Sequence, residues 1–212
     1  SKWPPAPARP SRPPPSSNEK KLWQWRCGKP SVMRTPPFPP DASTAEDFLS
    51  VWRENRSELV SFIQKLPEDQ FAKAPASGGW SASEIAEHLY LTQWNLARSL
   101  PIVLGGKFGK DKAELKSDLR YETLSKLLIR PRGAKNPIEV GPKGGMDKAA
   151  TLESLQKSMD KLDKAVSSKT KDQLQSRGMD HPFFGAISMF DWLWVMTNHE
   201  ATHIQTLISK YS

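Results

Sequence analysis

Two hundred and twelve residues leave room for one ordinary domain with an extension. The formal charge of +8 would suit a nucleic-acid partner, but residues 1–40 carry eight basic side chains against Glu19 alone, leaving residues 41–212 at about +1 and without the basic footprint such a partner needs. The single cysteine, Cys27, excludes an intramolecular disulfide framework, and no apolar run approaches the roughly 20 residues of a membrane span.

These features, with no apolar stretch near the N-terminus to serve as a secretory signal, predict a cytoplasmic protein with no membrane partner. Residues 1–40 also hold twelve of the nineteen prolines. Such a stretch cannot donate enough backbone hydrogen bonds for a core element, so it reads as a disordered basic tail ahead of a domain at 41–212. It is expected to be dispensable, with docking on a proline-recognition domain or an anionic surface as the alternative. Met33, just before the ordered part, is a candidate translation start.

The first helix is expected from about Ser43 to Leu66. Ser43 and Glu46 have capping-box spacing. Phe48, Trp52, Leu59, Phe62, Ile63 and Leu66 recur at helical period, and Pro67 closes the run. The second helix opens on Ser81-Ala-Ser-Glu84, another capping box, with Trp80 placed to staple onto Ile85. Ile85, His88, Leu89, Thr92, Leu96 and Leu100 share its inward face, and Pro101 is expected to stop it. A short helix near Glu114–Leu128 precedes Arg130–Gly145, whose glycines and prolines exclude regular structure. That long loop reads as a lid or binding loop. Its Arg130, Arg132, Lys135 and Lys143 could receive an anionic substrate or simply face solvent.

The third helix is expected at Lys148–Val166, with Leu152, Leu155, Met159, Leu162 and Val166 inward. A turn at Lys171–Leu174 and a bend at His181-Pro-Phe-Phe-Gly185 lead into the last helix, Asp191–Ser209. Four amphipathic helices and no strand signal predict an all-α four-helix bundle with a long crossover between the second and third helices.

The last helix carries the chemistry. His199 and His203 are four apart and project from one face, on a stripe with Trp192, Val195, Met196, Thr202 and Thr206 that should face the core. Buried imidazoles need partners. Either the pair is bonded to backbone and hydroxyl groups, or it shares a divalent metal ion. His88, on the inward face of the second helix, is the third candidate ligand, while His181 beside Pro182 reads as a turn residue. Three neutral imidazoles suit Zn, Ni or Fe. They leave an open position at which a water or a thiol would become a nucleophile at neutral pH.

His199-Glu-Ala-Thr-His203 also matches the short HExxH pattern of zinc proteases. That pattern needs a downstream third ligand, and Ile204–Ser212 contains no His, Asp or Glu, so the protease reading fails. Glu200 remains a candidate general base for a bound water, or equally a surface residue.

Taken together, Trp80-Ser-Ala-Ser-Glu-Ile-Ala-Glu-His-Leu89, His181-Pro-Phe-Phe-Gly185 and His199-Glu-Ala-Thr-His-Ile-Gln205 resemble the DinB/YfiT-like superfamily of metal-dependent enzymes over roughly residues 44–209. The resemblance implies a four-helix bundle with a three-histidine metal site onto which His88, His199 and His203 map. It also implies a homodimer, since members are often dimers. Relatives of that kind include bacillithiol and mycothiol S-transferases and a thiol-dependent isomerase, which implies a small-molecule substrate and a low-molecular-weight thiol as co-substrate. The segment Arg130–Gly145 loosely resembles the family's substrate side. The expected function is therefore a metal-dependent S-transferase or hydrolase. The alternative is a non-catalytic, stress-responsive binding module whose metal is structural or absent.

Overall fold

The computed structural model describes residues 40–76, 78–116 and 140–211. The Pro-rich tail, the candidate start at Met33, nearly all of the expected short helix at Glu114–Leu128 and most of Arg130–Gly145 lie outside them. In chain order the elements are α1 (Ala45–Lys65), α2 (Glu68–Phe71), α3 (Ala82–Leu104), β1 (Lys110–Asp111), α4 (Lys148–Val166), α5 (Lys171–Gln175), β2 (Arg177–His181), β3 (Gly185–Ser188) and α6 (Met189–Tyr211).

The four long helices form the bundle. α1 packs on α6 and α4, and α3 packs on α4 and α6. The order around the bundle is thus α1, α6, α3, α4. The long connection after α3 joins helices that lie side by side, while the chain steps across the diagonal between α1 and α3 and between α4 and α6.

Helix starts follow the capping chemistry of the sequence. Ser81 and Glu84 close the expected box, with Glu84 Oε2 accepting from the Ser81 amide at 2.8 Å and Ser81 Oγ from the Glu84 amide at 3.2 Å. At α1 the box sits one residue later than expected, on Thr44 and Asp47. The Ser43 amide is taken by the Pro40 carbonyl in a preceding 3-10 turn, and Glu46 is drawn outward to Arg53 at 2.6 Å. α3 does not stop at Pro101 but runs through it to Leu104. A proline in the final turn forfeits one hydrogen bond, and the Pro101 carbonyl is still satisfied by the Gly105 amide at 3.0 Å.

Contrary to the expectation of no strands, β1, β2 and β3 form a small antiparallel sheet in that order. Met179 stands opposite Ile187 and His181 opposite Gly185, so the expected bend at 181–185 is a hairpin turn closed by Gly185 at φ +72°. The strands are short and lack a β-branched run, so they leave no periodic trace. Their pairing depends on Gly178, where an added Cβ would stand 1.9 Å from the Ile187 carbonyl oxygen.

The core has two apolar clusters. One gathers Phe48, Trp52, Leu100, Leu162, Phe190 and Trp194. The other gathers Leu59, Ile63, Ile85, Leu89, Leu155 and Ile204. Where the helices pass from one to the other they bury a polar layer of Asn55, Arg56, Gln93, Ser158, Thr197 and Glu200. Among the described residues no helix is long and apolar enough to cross a membrane.

Candidate metal centre

α3 and α6 are neighbours in the bundle, and their facing surfaces bring the three expected histidines together. Nε2 of His199 lies 3.3 Å from Nε2 of His88 and 3.1 Å from Nε2 of His203. The three rings present ligand atoms within 4.8 Å of one another. His88 is buried and the other two are half-buried.

That placement follows from which face α6 buries. Of the stripe expected to face the core, Val195 and Met196 are buried, Trp192 and Thr202 half-buried, and Thr206 exposed. α6 buries instead the face of Phe190, Leu193, Trp194, Ala201, Ile204 and Leu207. His199 and His203 therefore lie at the margin of the buried face rather than in its middle, which gives the centre an open side.

Two neighbours shape the site. The backbone carbonyl of Val140 lies 2.7 Å from Nδ1 of His88. A carbonyl only accepts, so Nδ1 carries the proton and Nε2 turns a lone pair toward the other two rings. The Trp80 ring stacks nearly parallel to His203 at 6.3 Å between centroids and tilts against His88 at 5.0 Å. It forms an aromatic wall beside the donors.

The donor set fits a divalent ion. Ligands held at about 2.0–2.1 Å around a tetrahedral ion stand roughly 3.3 Å apart, close to the spacings between these nitrogens. A ring whose second nitrogen donates to a backbone carbonyl is the usual arrangement for a ligating histidine.

Glu200 points elsewhere. It is 2% exposed, and its Oε1 and Oε2 accept from Arg56 Nε at 2.7 Å and Nη2 at 2.6 Å. Oε2 also accepts from Trp52 Nε1. Arg56 reaches on to the Leu155 carbonyl at 3.0 Å and Ser158 Oγ at 3.3 Å. On a helix, position 200 is turned about 100° from position 199, so the carboxylate faces the polar layer and not the histidine rings. The general-base role read from HExxH is not the one this geometry supports.

His181 is not part of the cluster. It stacks on Phe184 at 4.4 Å and tilts against Trp192 at 4.6 Å, and its Nδ1 accepts from the Phe183 amide at 3.2 Å. Burial pushes its pKa down to about 4, so it is a neutral packing residue of the hairpin at neutral pH.

Sequence reasoning missed Arg56 and the Val140 carbonyl. Arg56 had a signal, since it interrupts the apolar stripe of α1 between Trp52 and Leu59, and a charge there requires a buried counter-charge. Val140 contributes a backbone atom, which no side-chain pattern records.

A family model described as the DinB superfamily matches residues 52–207. No curated protein matches the chain. Solved structures that share its fold include these three. TT2238, described as a four-helix bundle protein, is 20% identical with a TM-score of 0.50, covering 78% of this chain and 99% of its own. YfiT from Bacillus subtilis, described as a probable metal-dependent hydrolase with an unusual four-helix bundle topology, is 16% identical with a TM-score of 0.53, covering 79% and 87%. A histidine variant of the mycothiol-dependent maleylpyruvate isomerase is 15% identical with a TM-score of 0.56, covering 82% and 63%.

Proposed function

The chain belongs to the DinB superfamily, and we propose that it is a metal-dependent enzyme acting on a small molecule, with the ion held by Nε2 of His88, His199 and His203. The observation that carries this reading is the approach of three Nε2 atoms at 3.1 and 3.3 Å, with His88 turned by the Val140 carbonyl so that its lone pair faces the others. Zn, Ni and Fe all suit an all-imidazole set. Bound there, a divalent ion supplies Lewis acidity that lowers the pKa of a thiol or a water at its open position.

The chain's own groups divide the remaining work. Val140 fixes the His88 tautomer, and Trp80 covers one flank of the rings, excluding water and offering an apolar surface to a substrate. Glu200 positions α6 through Arg56 and Trp52, and does not take the proton from the nucleophile. With that carboxylate committed, transfer of a low-molecular-weight thiol is the better-supported reaction. A thiol has an ordinary pKa near 8.5, far closer to neutrality than water, so it needs less help from a base.

The same commitment of Glu200 is what favours the second reading, a non-catalytic module whose metal is structural. Incubating metal-loaded protein with a panel of low-molecular-weight thiols and an electrophile, and following thiol consumption, separates the two. The enzyme reading expects turnover that His203→Ala abolishes. No turnover with any thiol, and no hydrolysis, would leave the binding module.

A further inference from the structure

Three polar contacts fasten the segment Val140–Met146 along α3. Ser83 Oγ donates to the Met146 carbonyl at 3.2 Å, Glu87 Oε2 accepts from the Gly144 amide at 2.9 Å, and His88 Nδ1 meets the Val140 carbonyl at 2.7 Å. Ser83 and Glu87 are one turn apart with His88 adjacent, and their partners recede in the opposite order, so the segment runs antiparallel to the helix. Glu87 is 6% exposed and Ser83 4%. A buried carboxylate is costly unless its oxygens are bonded, so a backbone amide held by one is a strong anchor. Gly144 and Gly145 sit at φ +75° and +88°, a conformation glycine adopts without strain.

We infer that Glu87 is a positioning residue for the metal centre. By holding the Gly144 amide it keeps the Val140 carbonyl against His88 Nδ1, and so fixes the tautomer and direction of a ligand ring it does not itself touch. This rests on the metal reading above. It has a reciprocal consequence: whatever the ion gains from an oriented His88, the segment gains in closure from the ion. Groups that orient metal-bound histidines typically matter 10–100-fold in affinity.

The test uses the full chain as wild type, Glu87→Ala, Glu87→Gln and Ser83→Ala. Zinc affinity is measured by competition with a chelating dye, and hydrogen exchange over 140–146 is measured with and without zinc. Glu87→Ala should bind zinc at least tenfold more weakly and exchange the Gly144 amide faster even without metal. Glu87→Gln should recover most of both, because its side-chain oxygen accepts the same hydrogen bond. Zinc should slow exchange across Val140–Met146 in the wild type. Ser83→Ala leaves the buried carboxylate in place, so it carries the test if Glu87→Ala does not fold, with a few-fold loss expected. Wild-type affinity in both Glu87→Ala and Ser83→Ala would overturn the inference, as would exchange indifferent to zinc. Both results leave the metal centre standing. A wild type that takes up no zinc would defeat the metal reading and the coupling with it.

Discussion

Arg56 meets Glu200 through a two-pronged ion pair, Nε to Oε1 at 2.7 Å and Nη2 to Oε2 at 2.6 Å, with side chains 5% and 2% exposed. Glu200 lies one residue from a metal-ligand candidate, yet is turned about 100° from it, onto the buried polar layer. Breaking a pair this deeply buried leaves an uncompensated charge. Glu200→Ala should therefore destabilise the fold by about 3–5 kcal/mol in urea titration. Glu200→Gln should cost less, because the amide oxygen still accepts from Arg56 or Trp52. Neither should lower the metal content of the folded protein. A Glu200→Gln protein of wild-type stability with its turnover abolished would restore the general-base role.

His181 gives the hairpin a pH dependence. Its pKa falls from the ordinary 6.5 to about 4 through burial, so between those values the unfolded chain binds more protons than the folded one. Stability from this group is fully present above pH 6.5 and is lost as pH falls toward 4. The loss amounts to at most about 3 kcal/mol. Urea midpoints at pH 7 and pH 4.5 should drop more for the wild type than for His181→Gln. Parallel declines would show that the ring titrates normally.

Gly178 anchors the sheet by having no side chain. A Cβ there would meet the Ile187 carbonyl oxygen at 1.9 Å and its carbon at 2.7 Å, both backbone atoms that cannot swing aside. Gly178→Ala should lower stability by about 1–3 kcal/mol in thermal melts. An unchanged melting temperature would mean that β2 and β3 do not pair as described.

Much of this architecture was legible before the structure. The Ser81–Glu84 box and the apolar stripes of α1, α3 and α4 are local or periodic signals, and they placed three long helices to within a few residues. The three histidines were legible too, because the spacing of His199 and His203 fixes a shared face and His88 lies on an inward one. What escaped depends on long-range relationships. β1 and β2 come from distant parts of the chain, and β2–β3 pairing rests on a missing side chain at Gly178. The buried ion pair of Glu200 was not legible from a local pattern, since its partner Arg56 is 144 positions away. The proline at 101 misled in the other direction, because its cost is small in a last turn whose carbonyl finds Gly105.

The most direct test of the central claim is the metal content of protein purified without a chelating tag, with His88→Ala and His203→Ala alongside the wild type. The three-histidine centre requires about one Zn, Ni or Fe per chain in the wild type and loss of that metal in both folded variants. A wild type that holds no divalent ion even when supplied with one, or a His203→Ala protein that keeps its full complement, would contradict it.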